Sequence, residues 1–141
     1  MLRLLGRLRR LRHDTWGGIA TEFAFAAPIM IILSVGTIDI GRMVWINSTL
    51  AHAAHEGVRY ASVRGAGAAS PATEAEIIAY VKNRAAGILD SEMTVAATWT
   101  PDNSSGSRIT VKLDYIFDSY IGAFLALKPV PLREEASMIV G

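Results

Sequence analysis

The chain contains no cysteine, which excludes disulfide frameworks, thiolate zinc sites and cysteine nucleophiles while leaving the compartment open. Charge is scarce too: 19% of the 141 residues are charged, and 14 basic against 13 acidic side chains give a formal net charge of +1. A nucleic-acid binder needs a clear basic excess to neutralise phosphates, so no nucleic acid is expected as a partner. The length is that of one ordinary domain, which disfavours a multidomain enzyme. What is plentiful is apolar surface, with 51% apolar residues and a positive mean hydropathy of +0.31. This composition opposes disorder and makes a membrane segment the first feature to seek.

The amino-terminal third supplies it. Residues 1–16 carry Arg3, Arg7, Arg9, Arg10 and Arg12 with one acid, Asp14, whereas Gly17 to Ile38 hold a single ionisable side chain, Glu22. From Ile19 to Ile38 is 20 residues, or about 30 Å of helix, the hydrocarbon thickness of a bilayer. The chain is therefore expected to cross the lipid bilayer once. The arginine head stays inside, and everything after Asp39 lies outside, in a Gram-negative cell the periplasm. Trp16 and Trp45, with Asp39 and Arg42, are placed at the membrane interfaces. A secretory signal peptide has a shorter apolar core, of about 7–15 residues, followed by a small-residue cleavage site. No such site follows here, where the run continues into Ile38-Asp39-Ile40-Gly41-Arg42. The Arg9-Arg10 pair also occurs in twin-arginine signals, but arginines spread through the whole head account for it.

Glu22 is the anomaly of the span. An ionised carboxylate costs about 2.5–3.5 kcal/mol at mid-bilayer and less near an end, so such a residue calls for a named partner. Cleavage after Gly17 would create one: Gly18 becomes the first residue, with a free ammonium four positions before the carboxylate. The pair can then neutralise within one chain, or between neighbours in an assembly, where it fixes axial register. Without cleavage the candidates are Arg12, by snorkelling, or a protonated Glu22.

The run Gly17-Gly18-Ile19-Ala20-Thr21-Glu22-Phe23-Ala24-Phe25-Ala26-Ala27-Pro28, then an aliphatic stretch and Gly36-Thr37-Ile38-Asp39-Ile40-Gly41-Arg42, resembles the start of TadE-like proteins. These are minor pseudopilins of the tight-adherence (Flp) pilus. Ala53-Ala54-His55-Glu56-Gly57-Val58-Arg59-Tyr60-Ala61 is similar to the alanine-rich helix that follows in that family, so the resemblance covers roughly residues 15 to 64. It implies processing on the cytosolic side by a membrane-embedded prepilin peptidase, with Gly17 before the cut and Glu22 fifth in the mature chain. The doubled glycine leaves a cut after Gly18 open, and some homologues of this kind escape processing altogether. It also implies other pilin or pseudopilin subunits and an inner-membrane assembly platform as partners. Five of the basic and one of the acidic residues lie in 1–17, so the processed chain carries a side-chain net charge of −3. The basic head is then a targeting device and not a ligand site.

Within the span Ala20, Ala24 and Ala27 form a small-residue stripe suited to close helix packing in lipid, and Pro28 removes one backbone donor and permits a kink. Beyond it Met43, Ile46, Leu50, Ala53, Gly57, Tyr60 and Arg64 alternate at spacings of 3 and 4, continuing the helix to Arg64 with a narrow apolar seam. A helix from Ile19 to Arg64 is about 68 Å long, the stem of a pilin-like molecule. Residues 65–72, rich in Gly, Ala and Ser, read as a flexible link. Thr73 and Glu76 form a capping box opening a second helix that extends towards Asp90. Met93 to Trp99 and Ile109 to Phe117 alternate as strands around the turn residues 101–107, and Arg133 to Val140 reads as a final strand. Pro129 and Pro131 end the apolar stretch 120–127, which is either a docked helix or an exposed assembly surface. The expected class is α+β and pilin-like. It divides into a basic leader (1–17), a transmembrane and extended helix (18–64) and an extracytoplasmic domain (65–141) with a small antiparallel sheet of about three strands.

No catalytic constellation emerges. His52 and His55 are three apart instead of the four of H-E-x-x-H, so no metal site is expected. Glu56 and Arg59 on the same face are spaced for an ion pair. Gly65-x-Gly67 follows a helix and lacks the rest of a phosphate loop, and no serine sits in a nucleophile motif. No cofactor is implied. The functional expectation is a noncatalytic pilus assembly component in the bacterial inner membrane. The alternative is an unprocessed single-pass envelope protein whose outer domain binds a partner or ligand.

Overall fold

The structure, a computed structural model, describes residues 15–141. Its elements in chain order are α1 (Thr15–Ser62), α2 (Glu74–Arg84), a 3₁₀ turn (Asp90–Glu92), β1 (Met93–Thr100), β2 (Arg108–Phe117), α3 (Tyr120–Phe124) and β3 (Val130–Ile139). The class is α+β, with a long amino-terminal helix and a three-stranded antiparallel sheet of order β1-β2-β3. The chain divides between Ile38 and Asp39 into two units. The arginine head, and with it nearly all of the expected leader, lies outside the described residues, as does the side chain of Trp16.

The described part of the first unit, residues 15–38, is helical throughout. Its apolar side chains point outward on all sides, Phe25 being 74% exposed and Leu33 65%. A helix that is apolar all round and has no core of its own is built to be covered by something outside the chain. Three of its hydroxyls are satisfied internally. Thr21 Oγ1 donates to the Gly17 carbonyl at 2.8 Å, Ser34 Oγ to Met30 at 2.8 Å and Thr37 Oγ1 to Leu33 at 2.9 Å. Each hydroxyl bonds the carbonyl one turn back, the arrangement required where no water can serve as partner.

The second unit, Asp39–Gly141, holds the core. Ile46, Leu50, Ala53 and Gly57 of the expected seam are buried, and Ala54, Val58 and Ala61 widen it into the broad stripe of a helix packed on a sheet. Met43 and Tyr60 pack at its margins. At Gly57 the layers come closest: a Cβ there would collide with Val81 of α2 and lie 3.6 Å from both methyls of Val111 in β2. The capping box forms, Glu76 N–H donating to Thr73 Oγ1 at 3.3 Å and Thr73 N–H to Glu76 Oε2 at 3.0 Å. It satisfies two orphan amides of α2 and so fixes where the helix begins. Ile77 and Val81 then enter the core.

The strands pair as their alternation requires, with Val95 opposite Leu113 and Val111 opposite Ala136. Met93, Val95 and Ala97 of β1 and Ile109, Val111, Leu113, Tyr115 and Phe117 of β2 face inward. On the outer face Lys112 meets Glu135 at 3.1 Å and Asp114 meets Arg133 at 2.8 Å, both pairs in register across β2 and β3. Exposed pairs of this kind contribute about 0–1 kcal/mol each, so the inward apolar set, not the ion pairs, stabilises the sheet.

Four details depart from the sequence reading. Helix α1 ends at Ser62 instead of Arg64, because the Arg64 N–H turns back to the Ala61 carbonyl at 3.1 Å. Helix α2 stops at Arg84, five residues before Leu89, since Ala85 leaves helical geometry and Gly87 follows with a φ of +83°. Strand β3 begins at Val130 and so contains Pro131, which an edge strand tolerates because its missing N–H need not join a ladder. Residues 65–72 are tied down instead of free: Ala66 N–H donates to Asn103 O at 2.7 Å and Ala72 N–H to Arg64 O at 2.9 Å, with Gly65 buried beside Val140.

Candidate functional site

The residues expected to matter lie in two groups. The first is on the apolar helix. Gly17 and Gly18 are exposed and have no neighbour within 4 Å of a notional Cβ. Ala20, Glu22, Ala24 and Pro28 are exposed as well, and Ala27 is half-buried. Pro28 has no N–H for the carbonyl of Ala24, one turn earlier, so the helix carries one weakened rung beside the alanine stripe. Glu22 lies four residues, about one helical turn, beyond Gly18.

The second group lies at the start of the second unit. Asp39, first residue of that unit, is 5% exposed. Its Oδ2 accepts the Ser119 hydroxyl at 2.7 Å and the Ile121 backbone N–H at 2.9 Å, while Oδ1 accepts Arg42 Nη1 at 3.1 Å. Ser119 Oγ in turn accepts the Gly122 N–H at 2.8 Å, capping α3. The Arg42 guanidinium stacks over the Tyr120 ring at 4.3 Å and the Phe117 ring at 5.2 Å. One carboxylate thus holds a serine, a backbone amide and an arginine, and sets the 119–124 turn against the helix. Trp45 is half-exposed and leans on Gly87, where a Cβ would lie 2.8 Å from its ring. Space and the positive φ both require glycine at that position.

The sequence marked Asp39, Arg42 and Trp45 from their place next to the span but missed Ser119 and Ile121. The only local signal was a serine ahead of a short apolar run, which is a helix N-cap pattern. Elsewhere His52 and His55 are exposed on α1, and Glu56 and Arg59 form no ion pair. A second aromatic and basic cluster sits between α1 and α2. Tyr60 and Tyr80 stack at 4.3 Å, Arg64 bonds the Tyr60 hydroxyl at 2.7 Å, and Arg84 bonds that of Tyr80 at 3.0 Å.

Helix α1 is long and apolar enough to cross a membrane, and its most apolar part is almost wholly exposed. Residues 17–59 match the family of TadE-like proteins. The TadE-like segment takes in the doubled glycine, Glu22, the alanine stripe, Pro28 and the Asp39–Arg42 pair. It ends within α1, ahead of α2 and the sheet. The family is one of pilus components, which associates this chain with a Tad pilus and with other pilus subunits. No curated protein and no solved structure matches the chain.

Proposed function

We propose that the TadE-like chain is a noncatalytic minor pseudopilin, an assembly component of a tight-adherence pilus. It is held in the bacterial inner membrane by residues 19–38, with its amino terminus cytoplasmic and the outer unit periplasmic or extracellular. A prepilin peptidase removes residues 1–17, or 1–18, and the mature chain meets other pilin subunits and the inner-membrane assembly platform. Trp16 and Trp45 mark the two interfaces of the span. Ala20, Ala24, Ala27 and Pro28 form the surface along which neighbouring stems approach, and Glu22 accepts the amine of its own or a neighbouring stem and so sets axial register.

The observation that carries this reading is Glu22 itself, a carboxylate standing exposed in an otherwise apolar helical stretch within the TadE-like match. A plain anchor gains nothing from a charge there, whereas an array of processed stems gains register. The test is Glu22→Ala in cells that make the pilus. The variant should reach the membrane and be cleaved at wild-type levels yet give few or no pili. Normal pili from Glu22→Ala would remove the register role.

A further inference from the structure

Residues 120–127 form a small apolar platform that the proposed function leaves unused. Tyr120 is 62% exposed and Phe124 78%, and Leu125 and Leu127 also face outward. The segment is nonetheless tightly built: Leu125 N–H bonds Ile121 O at 2.9 Å and Leu127 N–H bonds Gly122 O at 2.8 Å. Gly122 is buried, and a Cβ on it would lie 3.0 Å from that of Ser119. Large apolar side chains are thus displayed from a fixed turn whose inward position is a glycine.

We propose that this turn is a second membrane contact, a lipid-surface-binding element set beside the point where the chain leaves the bilayer. The proposal rests on reading residues 19–38 as the span. Chain connectivity supplies the first argument. Asp39 directly follows the apolar run, and its carboxylate reaches the Ser119 hydroxyl and the Ile121 amide. Phe124 is three residues beyond Ile121, about 4.5 Å along α3. The interfacial layer is about 5–8 Å thick on each side and amphipathic elements settle about 5–10 Å into it, distances comparable to the short reach from Asp39 to the turn. Charge supplies the second. From Ser119 to Leu132 the one charged residue is Lys128, Asp118 stands just ahead of this stretch, and Arg42, paired with Asp39, stacks on Tyr120. Apolar and tyrosine side chains flanked by cations suit acyl chains beneath phosphate headgroups.

The absence of native cysteine allows a direct test. Single spin labels are placed in the full-length chain at Phe124→Cys, at Ser105→Cys in the exposed 101–107 turn, and at Ile31→Cys within the span. The protein is reconstituted in nanodiscs of mixed phosphatidylcholine and phosphatidylglycerol. Accessibility to oxygen, which concentrates in lipid, is compared with accessibility to a water-soluble nickel chelate. The label at 124 should favour oxygen several-fold over the label at 105 and approach the label at 31. A label at 124 as open to nickel as that at 105, with 31 in lipid, overturns the membrane contact and leaves the span intact. Exclusion of both reagents at 124 indicates burial against protein and overturns it equally. A label at 31 open to nickel defeats the span reading and this proposal with it.

Discussion

Asp39 and Ser119, 80 positions apart in the chain, are joined by a 2.7 Å hydrogen bond, and the same carboxylate oxygen takes the Ile121 amide at 2.9 Å. The residue that follows the apolar run is therefore also the one that holds the 119–124 turn. This gives Asp39 a structural duty inside the second unit besides its place at the end of the apolar run.

Asp39→Ala leaves the Ile121 amide without its acceptor and releases Ser119 from one partner. The apolar core around Leu50, Val111 and Ile77 is built from side chains other than Asp39, so the unit should stay folded. Hydrogen exchange at Ile121 and Gly122 should quicken by roughly tenfold, as expected for the loss of one well-formed bond. Exchange in β2 should be unaltered. Unchanged protection at Ile121 would show that the turn is held by something else.

At Gly57, alanine brings two opposed effects. Its better helix propensity stabilises by up to about 1 kcal/mol, but the new methyl collides with Val81, a branched side chain with little freedom to yield. Overpacking of this kind costs about 1–3 kcal/mol, so Gly57→Ala should lower unfolding stability by a net of up to about 2 kcal/mol. Denaturant titration of the detergent-solubilised chain measures this, and a stabilised variant would mean that the helix and α2 are farther apart than described.

Asp102 accepts hydrogen bonds from the Ser104 hydroxyl, the Ser104 amide and the Ser107 hydroxyl, which together hold its pKa below the ordinary carboxylate value. A group depressed in the folded state contributes stability that is present above its unfolded pKa and lost as pH falls through the folded one. Thermal stability measured between about pH 5 and pH 2 should fall more steeply for the wild type than for Asp102→Asn. Parallel curves would show that the 101–107 turn gains nothing from the carboxylate.

How much of this was legible in the sequence depended on distance along the chain. The capping box of Thr73 and Glu76 was readable because both partners lie within one turn, and β1 and β2 because alternation is a local pattern. The buried stripe of α1 was only half visible: Ala54 and Ala61 are small enough to suit either face until a sheet is known to lie beneath them. The end of α2 was missed because residues 85–89 keep an apolar rhythm, with buried Ala85 and Ile88, in a backbone that is no longer helical. The clasp between Asp39 and the 119–121 backbone was beyond reach, since one partner is a main-chain amide with no sequence signature. Gly17, Gly18 and Glu22 stand out in the sequence by local pattern, and they lie inside the TadE-like match over residues 17–59.

The most direct measurement is the intact mass of the chain extracted from membranes of cells that hold an active prepilin peptidase. The account predicts a mass lacking residues 1–17 or 1–18, with Gly18 or Ile19 first and the new amine within one helical turn of Glu22. A full-length mass with the arginine head in place would contradict it and leave a tethered outer unit in its stead.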